Sequence, residues 1–251
     1  MTELLTHIKN ASRELWQVFG QYESWNSDST KCEDIKSRLS HFNESHSADP
    51  KHIDDTIKAL LRGLYLIKSG AEWDEPAVGQ NSIDKPNSTH RARGVQWRLV
   101  VVWSGFEIVT KTLLLKRETG GLGPDEFNKF TQKCGLNSYN FLPSPNKELK
   151  NLSRWLDESQ EGKQVLDFLS VSKGDAYIIQ HWIINRQPIS NWVDAVRLAK
   201  ALRNATAHGA LSASKVNQWG LQQPLFTLSN NLGEIVVASM GKLVSQESYV
   251  D

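Results

Sequence analysis

The chain has 251 residues, 39% of them hydrophobic and 23% charged, which is the balance of a globular protein and excludes a disordered or collagen-like chain. A formal net charge of +1 excludes a global basic field, so any contact with nucleic acid must rest on a local patch. Two cysteines, Cys32 and Cys134, are too few for a disulfide framework and form no metal-binding pattern; read as reduced thiols, they point to a cytoplasmic protein.

The opening stretch MTELLTHIKNASREL has no basic region followed by an apolar core, so no signal peptide is expected. Residues 3–22 carry Leu4, Leu5, Ile8, Leu15, Val18 and Phe19 at helical spacing. A second short helix is expected from Ser29 to Ser45. Asp49 and Pro50 then read as cap and first residue of a third helix, 50–68, whose apolar residues Ile53, Ile57, Leu60, Leu61, Leu64 and Ile67 recur every three or four positions. Residues 1–70 are thus a helical region, either an extension or the first part of one bundle. Residues 71–90 hold two prolines and many Asn, Ser and Asp, and read as a loop or linker.

Residues 91–119 give the strongest helix. Its middle, LVVVWSGFEIV, is apolar nearly all round and is expected to be central and buried. LVVVW is the nearest approach to a membrane span, and Ser104, Gly105 and Glu107 interrupt it, so no membrane partner is expected. Glu107 has two readings: an i,i+4 pair with Lys111, or a partner for an arginine further along the chain. Gly120, Gly121 and Gly123 are expected to end the helix.

Short helices are expected at 124–134, 146–156 and 160–171. The second sets Lys147, Lys150 and Arg154 along one face, either an RNA-facing patch or a solvated surface. AYIIQHWIIN, residues 176–185, is apolar and β-branched, ambiguous between helix and strand, and taken as buried helix. His41 and His46 flank Glu44 but do not share a helical face, so no metal is expected there. The chain has no phosphate loop, no HExxH and no G-x-S-x-G elbow.

From Ile189 the stretch SNWVDAVRLAKALRNATAH again has helical spacing. Ser190 can cap its start, and Asp194 suits the positive end of the helix dipole. Gly209 fits the position just past the end, where a left-handed backbone is needed. Trp192, Ala195, Val196, Ala199, Leu202 and Thr206 form the buried arc. Arg203 falls on the edge of that arc, where an arginine needs a carboxylate, an interface or a ligand phosphate. Asn204 and His208 are four apart and share a face with Arg197. Ser212 can cap a short helix. Residues 221–246 read as one long final helix with Leu225, Leu228, Leu232, Ile235, Val236 and Met240 as its stripe.

Arg203, Asn204 and His208, in the order R-N-x-x-x-H within LAKALRNATAHGALS and ahead of a last long helix, resemble the signature of the HEPN superfamily, a group of α-helical domains that includes many ribonucleases. The resemblance covers about residues 90–250 and is specific over some fifteen of them. It implies an all-α fold: a HEPN-like helical bundle over 91–251, with residues 1–70 as a helical extension and about 120–189 as an inserted helical region. It also implies cleavage of RNA without metal or other cofactor, leaving 2′,3′-cyclic phosphate ends. His208 would be the general acid or base, Arg203 the phosphate holder, and Asn204 the group that orients the phosphate or His208, with Glu107 and Arg197 in support. Two motifs would pair across a homodimer, in a toxin or phage-defence setting that can include an antitoxin protein. Relatives paired with a nucleotidyltransferase antitoxin carry Tyr two residues after the His; here that residue is Ala210, which speaks against control by adenylylation. The rival reading is a non-catalytic helical interaction or nucleotide-binding module, with Arg203 paired to Glu107 and His208 ending a helix.

Overall fold

The computed structural model describes residues 3–73, 88–116, 120–145, 163–170 and 172–245. Within them the named elements are all helical: α1 Glu3–Phe19, α2 Tyr22–Trp25, α3 Ser29–Ser40, α4 Pro50–Ala71, α5 Ser88–Leu113, α6 Pro124–Lys133, α7 Lys163–Phe168, α8 Lys173–Ile179, α9 Trp192–Ala207, α10 Ala213–Gln218 and α11 Gln222–Ser245. The protein is all-α, as expected. None of these helices is long and apolar enough to cross a membrane. The chain forms two compact units, one of residues 1–69, 104–137 and 232–251, the other of residues 70–103 and 138–231. Most of the expected linker (74–87) and the expected helix at 146–156, with Lys147, Lys150 and Arg154, lie outside the described residues.

The first unit is assembled from apolar stripes that the sequence spells out. In α4, Ile53, Ile57, Leu60, Leu64 and Ile67 are all buried, because steps of four and three keep them on one face. The Asp49 carboxylate accepts from the His52 N–H at 3.1 Å, satisfying one of the donors a helix start leaves open. Phe106 of α5 packs against Phe127 and Phe130 of α6 at centroid separations of 6.4 and 6.1 Å. α4 and α5 touch backbone to backbone at Gly63 and Gly105: a Cβ on Gly105 would lie 2.5 Å from the Gly63 carbonyl oxygen.

α5 ends at Leu113, six residues before the expected end at 119. The stop is made by Leu115, which takes the left-handed conformation at φ 52°, and by the Lys116 N–H, which reaches back to the Lys111 carbonyl at 2.9 Å. Glycine usually fills that position; a leucine there leaves no sign in the sequence. The carbonyl of Leu113 is taken by buried His46, whose Nε2 lies 3.1 Å away. A carbonyl only accepts, so Nε2 carries the proton. Nδ1 of the neutral ring is then the acceptor for His52 Nε2 at 3.0 Å.

Burial pushes the His46 imidazole below its ordinary range, because a charged ring loses its water there. The folded state therefore binds this proton less readily than the unfolded chain. Stability from this group is full above the usual value of 6.5 and falls as the pH drops below it, by at most about 1.4 kcal/mol per pH unit. Urea unfolding of the wild type and His46→Gln between pH 7.5 and 5 is expected to show a shallower acid slope in the variant. Equal slopes would refute the assignment.

The second unit is built around polar groups that hold helix ends. Buried Arg98 of α5 donates to the Ala71 carbonyl at 3.1 Å and to Asn230 at 2.7 Å, with its guanidinium 4.4 Å from the centre of the Phe226 ring. Gln96 donates to the Leu211 carbonyl at 2.6 Å. The ambiguous stretch 176–185 is helical, but of two kinds. α8 runs to Ile179, and Gln180–Ile184 continues as a π-helix, closed by a bond from the Asn185 N–H to the Gln180 carbonyl at 2.8 Å. Five-residue spacing of this kind turns the side chains that follow. Buried Trp182 gives its indole N–H to the Pro143 carbonyl at 2.9 Å. Leu142 and Ile189 form an isolated antiparallel bridge, a local pairing that the sequence does not announce.

Candidate functional site

α9 starts one residue later than expected. Asn191, not Ser190, is its cap, with the side-chain oxygen accepting from the Asp194 N–H at 2.8 Å. The reason lies in the next residue: Trp192 has to turn its indole N–H to the Ser138 carbonyl, 2.6 Å away, and opens the helix from there. Ala195, Val196, Ala199 and Leu202 are buried as expected, together with Leu198, Ala201 and Ala205. Trp192 and Thr206 are only half-buried. At the far end Gly209 takes φ 76°, and the Leu211 N–H returns to the Ala205 carbonyl at 2.9 Å, the closure typical of a glycine-ended helix.

Arg203 and Asn204 are half-buried on this helix and joined to each other: Arg203 Nη1 donates to Asn204 Oδ1 at 3.1 Å. Asn204 Nδ2 in turn donates to Asp175 Oδ2 at 3.2 Å. The same carboxylate oxygen accepts from the Ser172 hydroxyl at 3.0 Å. The order guanidinium, amide, carboxylate fixes the amide, since a flipped Asn204 would set NH2 against guanidinium and oxygen against carboxylate. Asp175 is buried in the first turn of α8, where the helix dipole favours a negative charge. Arg203 Nε is buried and has no acceptor among the described residues. Since Nη1 is occupied by Asn204, the remaining fork of the guanidinium is the Nε–Nη2 edge, the edge that grips two oxygens of a phosphate side by side.

His208 is exposed and ends α9 as its C-cap residue, with its own N–H bonded to the Asn204 carbonyl at 3.0 Å. Its ring makes no hydrogen bond among the described residues. Arg197 is ion-paired to Asp194 at 3.2 Å and lies 5.0 Å from the centre of the Tyr177 ring. Tyr177 is exposed and stacks on His181 at 6.1 Å with 16° between planes. Glu107 belongs to the first unit, where its carboxylate takes Lys111 at 2.9 Å, the i,i+4 pair that the sequence offered. It lines a groove of about 640 Å³ there, beside His52, Arg62, Lys111 and Lys116.

The structure thus brings Arg203 and Asn204 together and adds two residues that sequence reasoning missed, Asp175 and Ser172. A signal for them existed. Ser172-x-x-Asp175 is the cap pattern of a helix start, and the Ser172 hydroxyl does accept from the Asp175 N–H. That Asp175 would meet Asn204, 29 residues on, was not encoded locally. Removing the carboxylate in Asp175→Ala leaves the Asn204 amide and the Ser172 hydroxyl short of an acceptor. The expected loss is about 1–3 kcal/mol in urea unfolding. An unchanged midpoint would show that the relay has no energetic weight.

The fold and this cluster together define an all-α protein with a half-buried arginine oriented by an amide–carboxylate relay, and an exposed histidine at the end of the same helix. Comparisons with protein-family models, with curated proteins and with solved structures find no match for the chain.

Proposed function

We propose that the chain is a HEPN-type endoribonuclease, cutting RNA without a metal ion. The observation that supports this reading most is the state of Arg203: its orientation is set by Asn204 and Asp175, while its buried Nε is without an acceptor among the described residues. An unsatisfied buried N–H is costly. A phosphate oxygen would satisfy it.

In the reaction, a base removes the proton from a ribose 2′-OH and the 2′ oxygen attacks the adjacent phosphorus. The 5′ oxygen leaves with a proton, and a 2′,3′-cyclic phosphate remains. His208 serves as base or acid, because imidazole exchanges protons near neutral pH. Arg203 holds the phosphate and offsets the charge that builds on its oxygens. Asn204 acts as a positioning residue: with its oxygen turned to Arg203 and its NH2 to Asp175, it fixes the guanidinium rather than touching the reacting atoms. A homodimer would pair two such motifs, and a toxin or phage-defence role, with or without an antitoxin protein, suits an enzyme of this kind.

The test is incubation of single-stranded RNA with the wild type and with His208→Ala, side by side in EDTA, with the product ends identified. The expected result is cyclic-phosphate ends from the wild type alone. Cleavage that persists in the variant, or none by a folded wild type across several RNAs, would overturn the reading.

A further inference from the structure

The helix that carries Arg203 also carries Arg197. Arg197, Asn204 and His208 follow one another at helical spacing and lie along one face of α9, with Arg197 about 10 Å along the axis from Asn204. α8 is laid against this face and meets it at two points. Asp175 accepts from Asn204 at 3.2 Å, and the ring of Tyr177 has the Arg197 guanidinium 5.0 Å from its centre. Arg197 is already ion-paired to Asp194 at 3.2 Å, so its contact with Tyr177 holds the ring through the cation–π attraction. One turn beyond Tyr177, His181 stacks at 6.1 Å with 16° between planes. With both contacts in place the Tyr177 ring is still 59% exposed. The two helices that orient Arg203 thus also present a held, planar and open aromatic surface.

We infer that Tyr177 is the stacking platform for an unpaired base of the RNA whose phosphate Arg203 holds, so that the site takes single-stranded and not duplex RNA; this rests on Arg203 as the phosphate holder. A guanidinium on a phosphate grips a group common to every nucleotide and carries no choice between strand forms. The exposed ring supplies that choice. Every base has a π-face, and stacking on an aromatic side chain is tolerant of sequence. In a duplex those faces are stacked on neighbouring bases, whereas unpaired bases can be splayed out onto a ring. The spacing suits this division of labour: two turns of α9 separate Asn204 from Arg197, a distance that a neighbouring nucleotide of an extended strand covers. A net charge of only +1 gives the chain little general pull on a polyanion, so a stacked base adds affinity that charge does not supply. Tyr177 is a binding residue in this role and takes no part in proton transfer.

The test uses the full chain carrying His208→Ala, so that RNA is not consumed, and follows fluorescence anisotropy of two labelled twelve-nucleotide probes. One is oligouridine; the other is an abasic ribose-phosphate oligomer with the same phosphates and no bases. Tyr177→Ala is expected to weaken oligouridine binding about tenfold or more and to leave the abasic oligomer unchanged. Tyr177→Phe and Tyr177→Trp should bind as the parent does, whereas Tyr177→Leu, with bulk but no π-face, should bind as Tyr177→Ala does. The slope of log affinity against log salt should stay the same in all four, because no phosphate contact is lost. Arg203→Ala should weaken both probes. Thermal unfolding accompanies each titration; should Tyr177→Ala fail to fold, the Phe and Leu variants decide. Oligouridine binding that is absent, or unmoved by Tyr177→Ala, would overturn the inference. So would equal loss on both probes, rescue by leucine, a hairpin duplex bound as well as oligouridine, or binding that ignores Arg203→Ala. The nuclease reading fails differently. A folded wild type that cuts no RNA while the anisotropy results hold removes the reaction and keeps the platform. Cleavage whose KM is the same in the wild type and in Tyr177→Ala removes the platform and keeps the nuclease.

Discussion

His208→Ala is expected to lower RNA cleavage by about 10²–10⁴-fold, the usual contribution of a general acid or base, and to leave folding intact. The structure separates these two effects. His208 is exposed and bonds to the rest of the protein through its backbone, at the C-cap of α9, so an alanine there deletes a ring that packs against little. Arg203→Ala is expected to be equally damaging to cleavage but also to disturb its neighbours, because the Asn204 oxygen then loses its donor. Arg203→Lys keeps the charge but loses the planar fork, and should recover little activity. The two substitutions therefore give different signatures: loss of rate with an unchanged unfolding midpoint for His208, loss of rate with a lowered midpoint for Arg203. Cleavage by His208→Ala at the wild-type rate would remove the histidine from the chemistry altogether.

Gly105→Ala is expected to destabilise the protein while Gly241→Ala stabilises it, although both replace a helical glycine by the best helix former. The intrinsic gain is about 1 kcal/mol in each case. At Gly241, in α11, the new methyl meets nothing within 4 Å, so the gain stands. At Gly105 the methyl would lie 2.5 Å from the Gly63 carbonyl oxygen, 2.6 Å from Ile67 Cγ1 and 3.1 Å from the Ile67 nitrogen. Two of these are backbone atoms of α4, so the helices must separate, which costs about 1–3 kcal/mol and more for a larger side chain. Gly105→Val should therefore lose more than Gly105→Ala. Urea unfolding of the four chains checks the order; stabilisation by Gly105→Ala would mean that the close approach of α4 and α5 carries no constraint.

What the sequence made legible was whatever local chemistry specifies. The stripes of α4 and α11 follow from apolar residues spaced by three and four, and all six residues expected to line the last helix are buried. Asp49 before Pro50, Ser212 before α10 and Gly209 after α9 were readable because each satisfies or ends a helix within a few residues. The all-α class follows from the sum of these. The limit shows where a neighbour overrules local preference. The glycines at 120–123 promised the end of α5, yet the helix stops at Leu113, where His46 takes the terminal carbonyl. Ser190 and Asn191 are both good caps, and the choice fell to the indole N–H of Trp192 and its acceptor at Ser138.

The candidate site divides along the same line. Its three residues could be picked out of the sequence because a motif is a matter of order and spacing, and the helix that carries them declares its own face. Their arrangement could not. Asn204 has four hydrogen-bonding sites, and the neighbouring Arg203, which only donates, takes its oxygen; Asp175, brought in by α8, accepts from its NH2 and ties the pair to a second helix. The sequence by itself determined which stretches are helical and which face each one buries, because those depend on contacts within a turn or two. Only the tertiary structure decided where polar groups far apart in the chain meet, because a buried donor or acceptor takes whichever partner the packing of other elements delivers.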